Sequence, residues 1–270
     1  MKAERRMKIH VLLQEKPFIS LKELSELFPD VTSMTLRRDI EYFEKQGELI
    51  RVRNGARSMK FIAATADKNY IYREKENESA KRSIALAAAE FLEKGSCVFF
   101  DAGSTIMQLA DIMPGKIMNI LTSGPNISMK LIQKQNPIVT LIGGILNRES
   151  ISVSGDISID ALNSFSIDTA FTVPSGYSKN SGFTCGNLSE CELKKYVVKN
   201  SRRVIMLIDS SKYGKEFPYS FCQLADINLL ITDSDKSKYM PEAELSGVTV
   251  ISTGISKSHE HISHCIPVEV

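Results

Sequence analysis

The chain is 270 residues long, 43% hydrophobic and 24% charged, with a formal net charge of +2 and no tryptophan. That balance is close to the globular average and excludes disordered, collagenous and fibrous chains, and at roughly 100 to 200 residues per domain the length points to two domains. No run nears the roughly 18 uninterrupted apolar residues of a membrane helix, since Val11-Leu12-Leu13 is halted by Gln14-Glu15-Lys16, so neither a membrane span nor a signal peptide is expected.

Five cysteines, Cys97, Cys185, Cys191, Cys222 and Cys265, are scattered without a CxxC pair. This argues against a disulfide framework or a zinc ribbon and for a reducing, cytoplasmic setting. Met1 to Lys60 holds 13 Lys+Arg against 9 Asp+Glu, so the positive charge is concentrated at the front. Such asymmetry hints at an anionic partner for that part, such as nucleic acid, although solvated helix faces produce it too.

From Glu4 to Glu15, Met7, Ile9, Val11, Leu12 and Leu13 recur at three- and four-residue intervals, which predicts a short amphipathic helix ended by Pro17. Ser20 precedes Leu21 with Glu23 three positions on, and Leu21, Leu24, Leu27 and Phe28 form a second helical stripe stopped by Pro29. Thr32 or Ser33 caps a third helix, in which Leu36, Ile40 and Phe43 face inward and which Gly47 ends. Its first turn and a half carries Ser33, Met34, Thr35, Arg37 and Arg38, the positions where a recognition helix in a major groove meets base edges and phosphates. Arginine suits both tasks, with two donors for a guanine edge or a charge for a phosphate. After Gly47, Ile50 and Val52 alternate with Arg51 and Arg53 up to the turn-forming pair Asn54-Gly55, which reads as a basic β-ribbon. Three short helices and such a ribbon make a winged helix-turn-helix, with Ser33, Met34, Thr35, Arg37, Arg38, Arg51, Arg53, Asn54 and Gly55 as candidate DNA-binding residues.

Residues 1–57 are thus the expected DNA-binding domain, and 58–78, ending in the polar run Arg73 to Glu78, the expected linker. Residues 79–270 alternate helical and apolar runs. Helices are predicted over Arg82–Glu93, Thr105–Met113, Pro125–Lys134 and Leu188–Lys199. Strands are predicted at Cys97–Phe100, Ile117–Leu121, Ile138–Ile142, Thr169–Val173, Val204–Ile208, Ile227–Ile231 and Val248–Ile251. The alternation predicts an α/β, Rossmann-like domain with a mostly parallel sheet, whose ligands bind outside the carboxyl ends of the strands. Polar residues collect at those ends. Asp101-Ala102-Gly103-Ser104-Thr105 opens a helix with amides and hydroxyls that would cradle a phosphate, and an ordinary capped turn has the same composition. Thr122-Ser123, Gly143-Gly144, Ser175-Gly176 and Asp209-Ser210-Ser211-Lys212 follow at later strand ends. Lys212 would neutralise a phosphate or pair with Asp209, and Lys194, one turn after Glu190, fits a helical ion pair.

The stretch TSMTLRRDIEYFEKQGELIRVRNGA closely resembles the signature that opens the DeoR family of bacterial transcriptional regulators. Arg37, Arg38 and Asp39 match it, as do Gly55 and Ala56, while Asn54 stands where the family has a glycine. The resemblance continues through DAGST, LTSG, LIGGILNR, SGYS, GFT, ECELK and DSSKYG, and so covers nearly the whole chain. Gly124 departs from a commoner polar residue, and Ser104 from a commoner threonine. The family's sensor domain is similar to ribose-5-phosphate isomerase and coenzyme A transferase relatives, which implies binding of a phosphorylated sugar. Carried over position by position, the resemblance implies effector-binding roles for Asp101, Gly103, Ser104, Thr105, Thr122, Ser123, Gly143, Gly144, Ser175, Gly176, Glu190, Lys194 and Lys212.

His259, His261, His264 and Cys265 crowd into HEHISHC, but structural zinc ligands come as separated pairs, so a polar tail is the plainer reading and no metal or cofactor is expected. Cys185 and Cys191 have no histidine within local reach and read as buried thiols, and Met107, Met113, Met118, Met129 and Met206 as core filling. The expected function is a DNA-binding regulator, most simply a repressor of sugar-metabolism genes, acting as at least a homodimer and released by a sugar phosphate. A sugar-phosphate isomerase using Asp101, Glu190 or Lys194 is the rival, against which stands a winged N-terminal segment with no use in isomerisation. An activator is equally compatible with the sequence.

Overall fold

A helix is held to a small core by residues one turn apart, and in the computed structural model Ile9 and Leu13 do this for the first helix, while Met7 and Val11 stay exposed. The structure describes residues 2–16, 18–52, 55–58, 69–234 and 246–254. It divides into two units, Met1–Asp67 and Lys68–Val270.

The first unit contains α1 (Lys2–Glu15), β1 (Phe18–Ser20), α2 (Leu21–Leu27), α3 (Ser33–Lys45), β2 (Leu49–Val52) and β3 (Gly55–Ser58). Ser20 caps α2 by accepting the Glu23 amide at 3.0 Å. Thr32, rather than Ser33, caps α3, its hydroxyl accepting the Thr35 amide at 3.4 Å. The ribbon is a three-stranded antiparallel sheet in the order β1-β3-β2, because the short segment after Pro17 joins it with Ile19 opposite Ala56. Ile9, Leu13, Ile19, Leu24, Leu36, Ile40, Phe43, Leu49 and Ala56 form its core, independent of the second unit's clusters.

Of the expected linker, residues 59–68 lie outside the described residues, whereas Tyr70–Lys75 is a helix (α4) of the second unit, capped by Asn69 and anchored by buried Tyr70. Helix α5 (Glu78–Ala89) already starts at Glu78. The polar run hides α4, whose one buried residue is Tyr70, and the first turn of α5, the rest of which matches the helix predicted from Arg82.

Seven strands then form one all-parallel sheet: β4 (Cys97–Phe100), β5 (Asn119–Thr122), β6 (Ile138–Leu141), β9 (Ile167–Thr172), β12 (Ser201–Ile208), β14 (Leu229–Thr232) and β15 (Thr249–Ser252), in the order β15-β14-β12-β9-β4-β5-β6. Alternation sends Val98 and Phe100 to one face, under α5, α6 (Ser104–Ile112) and α7 (Pro125–Leu131). Phe99, Leu121 and Ala170 go to the other, under α8 (Asp156–Leu162) and α9 (Leu188–Asn200). Two elements without an apolar run complete the fold: the hairpin β7 (Ile145–Asn147)–β8 (Ser152–Ser154), and a small antiparallel sheet of β10 (Gly176–Ser178), β11 (Gly182–Cys185) and β13 (Tyr219–Cys222). Strands β4, β5 and β6 proceed one way along the sheet and β9, β12, β14 and β15 the other, so the order reverses between β4 and β9. In open α/β sheets that reversal opens the ligand crevice.

Candidate functional site

In the first unit, packing decides which face of α3 is free. Leu36, Ile40 and Phe43 are buried, and so is Asp39, whose carboxylate accepts from Arg5 Nε at 2.6 Å and Arg6 Nε at 2.9 Å of α1. The Arg6 guanidinium also lies 3.6 Å from the Tyr42 ring centroid. Asp39 therefore braces α3 against α1. Ser33, Met34, Arg37 and Arg38 are exposed on the opposite side and Thr35 is half-buried, so five of the expected DNA-binding residues share one accessible surface. Among the described residues neither Arg37 nor Arg38 forms an ion pair. Arg51 differs: its Nε meets Glu44 of the same unit at 2.5 Å. Gly55 is buried where β1 passes, and an added Cβ would sit 2.4 Å from the Ile19 carbonyl oxygen, so its place in the motif is explained by the wing's own packing. Arg53 and Asn54 lie outside the described residues.

In the second unit the loops after β4 and β9 meet at the sheet's reversal. Asp101 is buried there and accepts the Ala102 amide at 2.9 Å and the Val173 amide at 3.1 Å. Lys194 of α9 reaches through to the same carboxylate and to the Val173 carbonyl at 2.9 Å. Burial is the largest influence and pushes the lysine's pKa down, but the Asp101 charge and hydrogen bond, joined by Cys185 and Glu190, together outweigh it, and the net displacement is upward. Lys194 is thus paired with Asp101, not with Glu190 as its helical spacing suggests. The carboxylate of Glu190 instead accepts from Asn147 Nδ2 at 3.0 Å, Ser152 Oγ at 2.7 Å and Ser150 Oγ, all on the β7–β8 hairpin.

Beside this pair, Gly103, Ser104 and Thr105 open α6, and among the described residues no side chain caps that helix's first amides. A groove runs from there past Val173 and Pro174 to Asp209 and Lys212, with Arg73 of α4 on its wall. Two basic side chains therefore face a helix N-terminus whose free N–H groups and dipole favour an anion. Arg73 and Asp209 are additions to the residues expected from sequence. Lys81, another addition, is buried behind α4 and donates to the carbonyls of Arg73 and Glu76. Burial lowers its pKa, with the Asp209 charge opposing. Taking Arg73–Glu78 for the end of the linker concealed Arg73, whereas for Lys81 the available signal was its place four residues before buried Ala85, on the stripe that Ala88 continues.

Asp101, Gly103, Ser104, Thr105, Lys194 and Lys212 are therefore brought together. Thr122 and Ser123 sit just behind, their hydroxyls accepting the amides of Gly124 and Ala102, both at 3.0 Å. Gly143 and Gly144 lead into the hairpin, with Ser158 Oγ donating to the Gly143 carbonyl at 2.6 Å. Ser175 and Gly176 belong to the small sheet, the Ser175 amide donating to the Thr184 carbonyl at 2.9 Å. Glu190 stands apart with the hairpin serines. Cys191 on the buried side of α9 packs with Cys185 and Cys222 in one cluster, and burial pushes all three thiols up, away from nucleophilic character. The HEHISHC tail lies outside the described residues.

Comparison with known proteins gives two matching family models, the DeoR-like helix-turn-helix domain over residues 5–61 and the DeoR C terminal sensor domain over residues 76–234. The HTH-type transcriptional regulator GlpR of Haloferax volcanii is 31% identical, covering 92% of this chain and 97% of its own length. An uncharacterized HTH-type transcriptional regulator of Bacillus subtilis, YulB, is 32% identical over 86% of this chain and 89% of its own. Among solved structures, the full-length sorbitol operon regulator SorC from Klebsiella pneumoniae matches with a TM-score of 0.39 at 13% identity, covering 89% of this chain and 97% of that one. Among the described residues no helix is long and apolar enough to cross a membrane.

Proposed function

Because the chain belongs to the DeoR family of transcriptional regulators, we propose that it is a cytoplasmic repressor of sugar-metabolism genes, released from double-stranded operator DNA by a phosphorylated sugar bound in the second unit. The observation that carries the effector is the uncapped N-terminus of α6 facing Lys212 and Arg73 at the strand-order reversal. The phosphate lies on the α6 amides between those cations, and the sugar extends toward the loops around Asp101. The Arg37–Arg38 face of α3 enters the major groove, and because one such helix reads one half-site, the working form is at least a homodimer. Residues 1–57 read DNA, and the second unit, with Arg73 of α4 added to the expected 79–270, holds the effector.

No chemistry need follow binding. Asp101 and Lys194 are committed to each other, Glu190 to three hairpin donors, and Asp209 to Asn77 Nδ2 and to the Ser211 amide and hydroxyl, so among the described residues each carboxylate at the site is already engaged. The test is fluorescence anisotropy of the protein on its own upstream DNA at fixed salt, against a panel of sugar phosphates and free sugars. Release by one phosphate and not by its free sugar is the expected result. Saturable binding that no compound moves would remove the effector reading. Tighter binding with the phosphate would reverse its sign, and turnover of the sugar phosphate would restore the isomerase.

A further inference from the structure

Strand β6 ends the seven-stranded sheet, and among the described residues nothing pairs with its outer side. The amides of Ile138 and Ile142 donate inward, to the carbonyls of Met118 and Thr122 at 2.9 and 3.1 Å. With the two-residue period of a parallel ladder, the N–H and C=O groups of Val139 and Leu141 therefore point outward. From Pro137 to Asn147 the chain carries no charged residue. Lysines or inward-pointing charges, which ordinarily blunt an open edge, are missing from this one. On it the side chains of Ile138 and Leu141 are 65% and 41% exposed, and Met129 and Ile132, where α7 packs on β6, are exposed as well. Single exposed apolar residues are ordinary, but a set gathered at one sheet edge marks an interface.

We propose that β6 is a dimer seam, pairing antiparallel with β6 of a second copy about a two-fold axis through Thr140. This register uses every outward group. Val139 faces the second copy's Leu141 and Leu141 its Val139, each pair exchanging both backbone bonds, while Thr140 meets its own counterpart in the close, non-hydrogen-bonded position between them. A second copy is the occupant that two half-sites call for, and the uncharged strand, duplicated by the two-fold, brings no like charges together. Closure agrees, since an antiparallel pairing of identical strands stops at two subunits. The seam places the homodimer of the proposed function and rests on that reading only for the need of a second recognition helix.

Two variants of the full chain test it. In Thr140→Cys the paired α-carbons fall about 4.5 Å apart, within disulfide range, so mild oxidation should give a dimer band on a non-reducing gel. Leu86→Cys, exposed on α5, which packs over β12 and β14 away from β6, should not. Leu141→Pro removes an outward N–H without touching the bonds to β5, and should sediment as a monomer with unchanged far-ultraviolet circular dichroism. If Thr140→Cys sediments as a dimer yet does not cross-link, or Leu141→Pro stays folded and dimeric, the seam is wrong while the dimer stands. A wild-type chain that sediments as a monomer at micromolar concentration overturns both.

Discussion

Lys194 illustrates how little of a buried charge is visible locally. Its partner Asp101 is 93 positions away, whereas Glu190 lies one helical turn back, so spacing favours the wrong carboxylate. Only the sheet's topology, which brings the β4 and β9 loops together, decides between them. Replacing Lys194 by Met leaves a buried carboxylate without its cation and should cost about 3 kcal/mol in urea unfolding at neutral pH. The double variant Asp101→Asn/Lys194→Met should recover much of that loss, and a double variant worse than the single one would show that Asp101 does not depend on the lysine. The sign of the pH dependence follows from the raised pKa: the lysine's contribution is complete below the ordinary lysine range and is lost as pH rises through the folded value. The stability gap between wild type and Lys194→Met should therefore narrow at strongly alkaline pH. Adjacent glycines give a second residue-scale contrast. Gly143 and Gly144 both have positive φ, but a Cβ on Gly143 meets nothing within 4 Å, whereas on Gly144 it would sit 2.6 Å from the Ser154 carbonyl oxygen. Gly143→Ala should cost about 1 kcal/mol of backbone strain, and Gly144→Ala clearly more, read as the difference in their thermal unfolding midpoints.

At the scale of elements, periodicity sufficed wherever an element buries one continuous stripe or both faces. The stripe Leu36, Ile40 and Phe43 marks α3, and the runs at Cys97–Phe100 and Val204–Ile208 mark central strands of the parallel sheet. It failed for the β7–β8 hairpin and for the small antiparallel sheet. Their strands are three or four residues long and rich in Ser, Thr and Gly, and pairs such as Phe183 with Cys222 are set by tertiary register rather than by any local pattern. The same limit hid the role of Asp39. The triplet Arg37-Arg38-Asp39 looks like a single motif, yet the two arginines are exposed and the aspartate is sealed against Arg5 and Arg6. These halves should separate experimentally. Arg37→Ala or Arg38→Ala should leave the melting temperature unchanged and weaken operator binding. If the lost contact is to a phosphate, the slope of log affinity against log salt falls by about 0.9; a base contact would relax sequence preference and leave the slope alone. Wild-type affinity in both variants would remove α3 from the DNA.

For the whole molecule, two units with separate cores must behave as one switch, and thermodynamics constrains how. If the effector weakens operator affinity tenfold, the coupling is about 1.4 kcal/mol, and operator DNA must weaken effector binding by the same factor. Lys212 lets the two halves of this cycle be separated, because it lines the groove at the α6 N-terminus and belongs to the unit that does not read DNA. In Lys212→Ala, operator affinity without effector should equal wild type, and the effector concentration that gives half-release should rise by one to two orders of magnitude, the loss expected for a charged phosphate contact. At saturating effector the variant should still reach the wild-type degree of release, since the lysine supplies affinity and the coupling belongs to the states being selected. Anisotropy titrations with labelled operator at several effector concentrations measure both quantities in one experiment. A shifted midpoint with full release places Lys212 in the binding site alone. A reduced plateau would mean that the lysine contributes more binding energy in the DNA-released state than in the DNA-bound one, and so carries part of the switch itself.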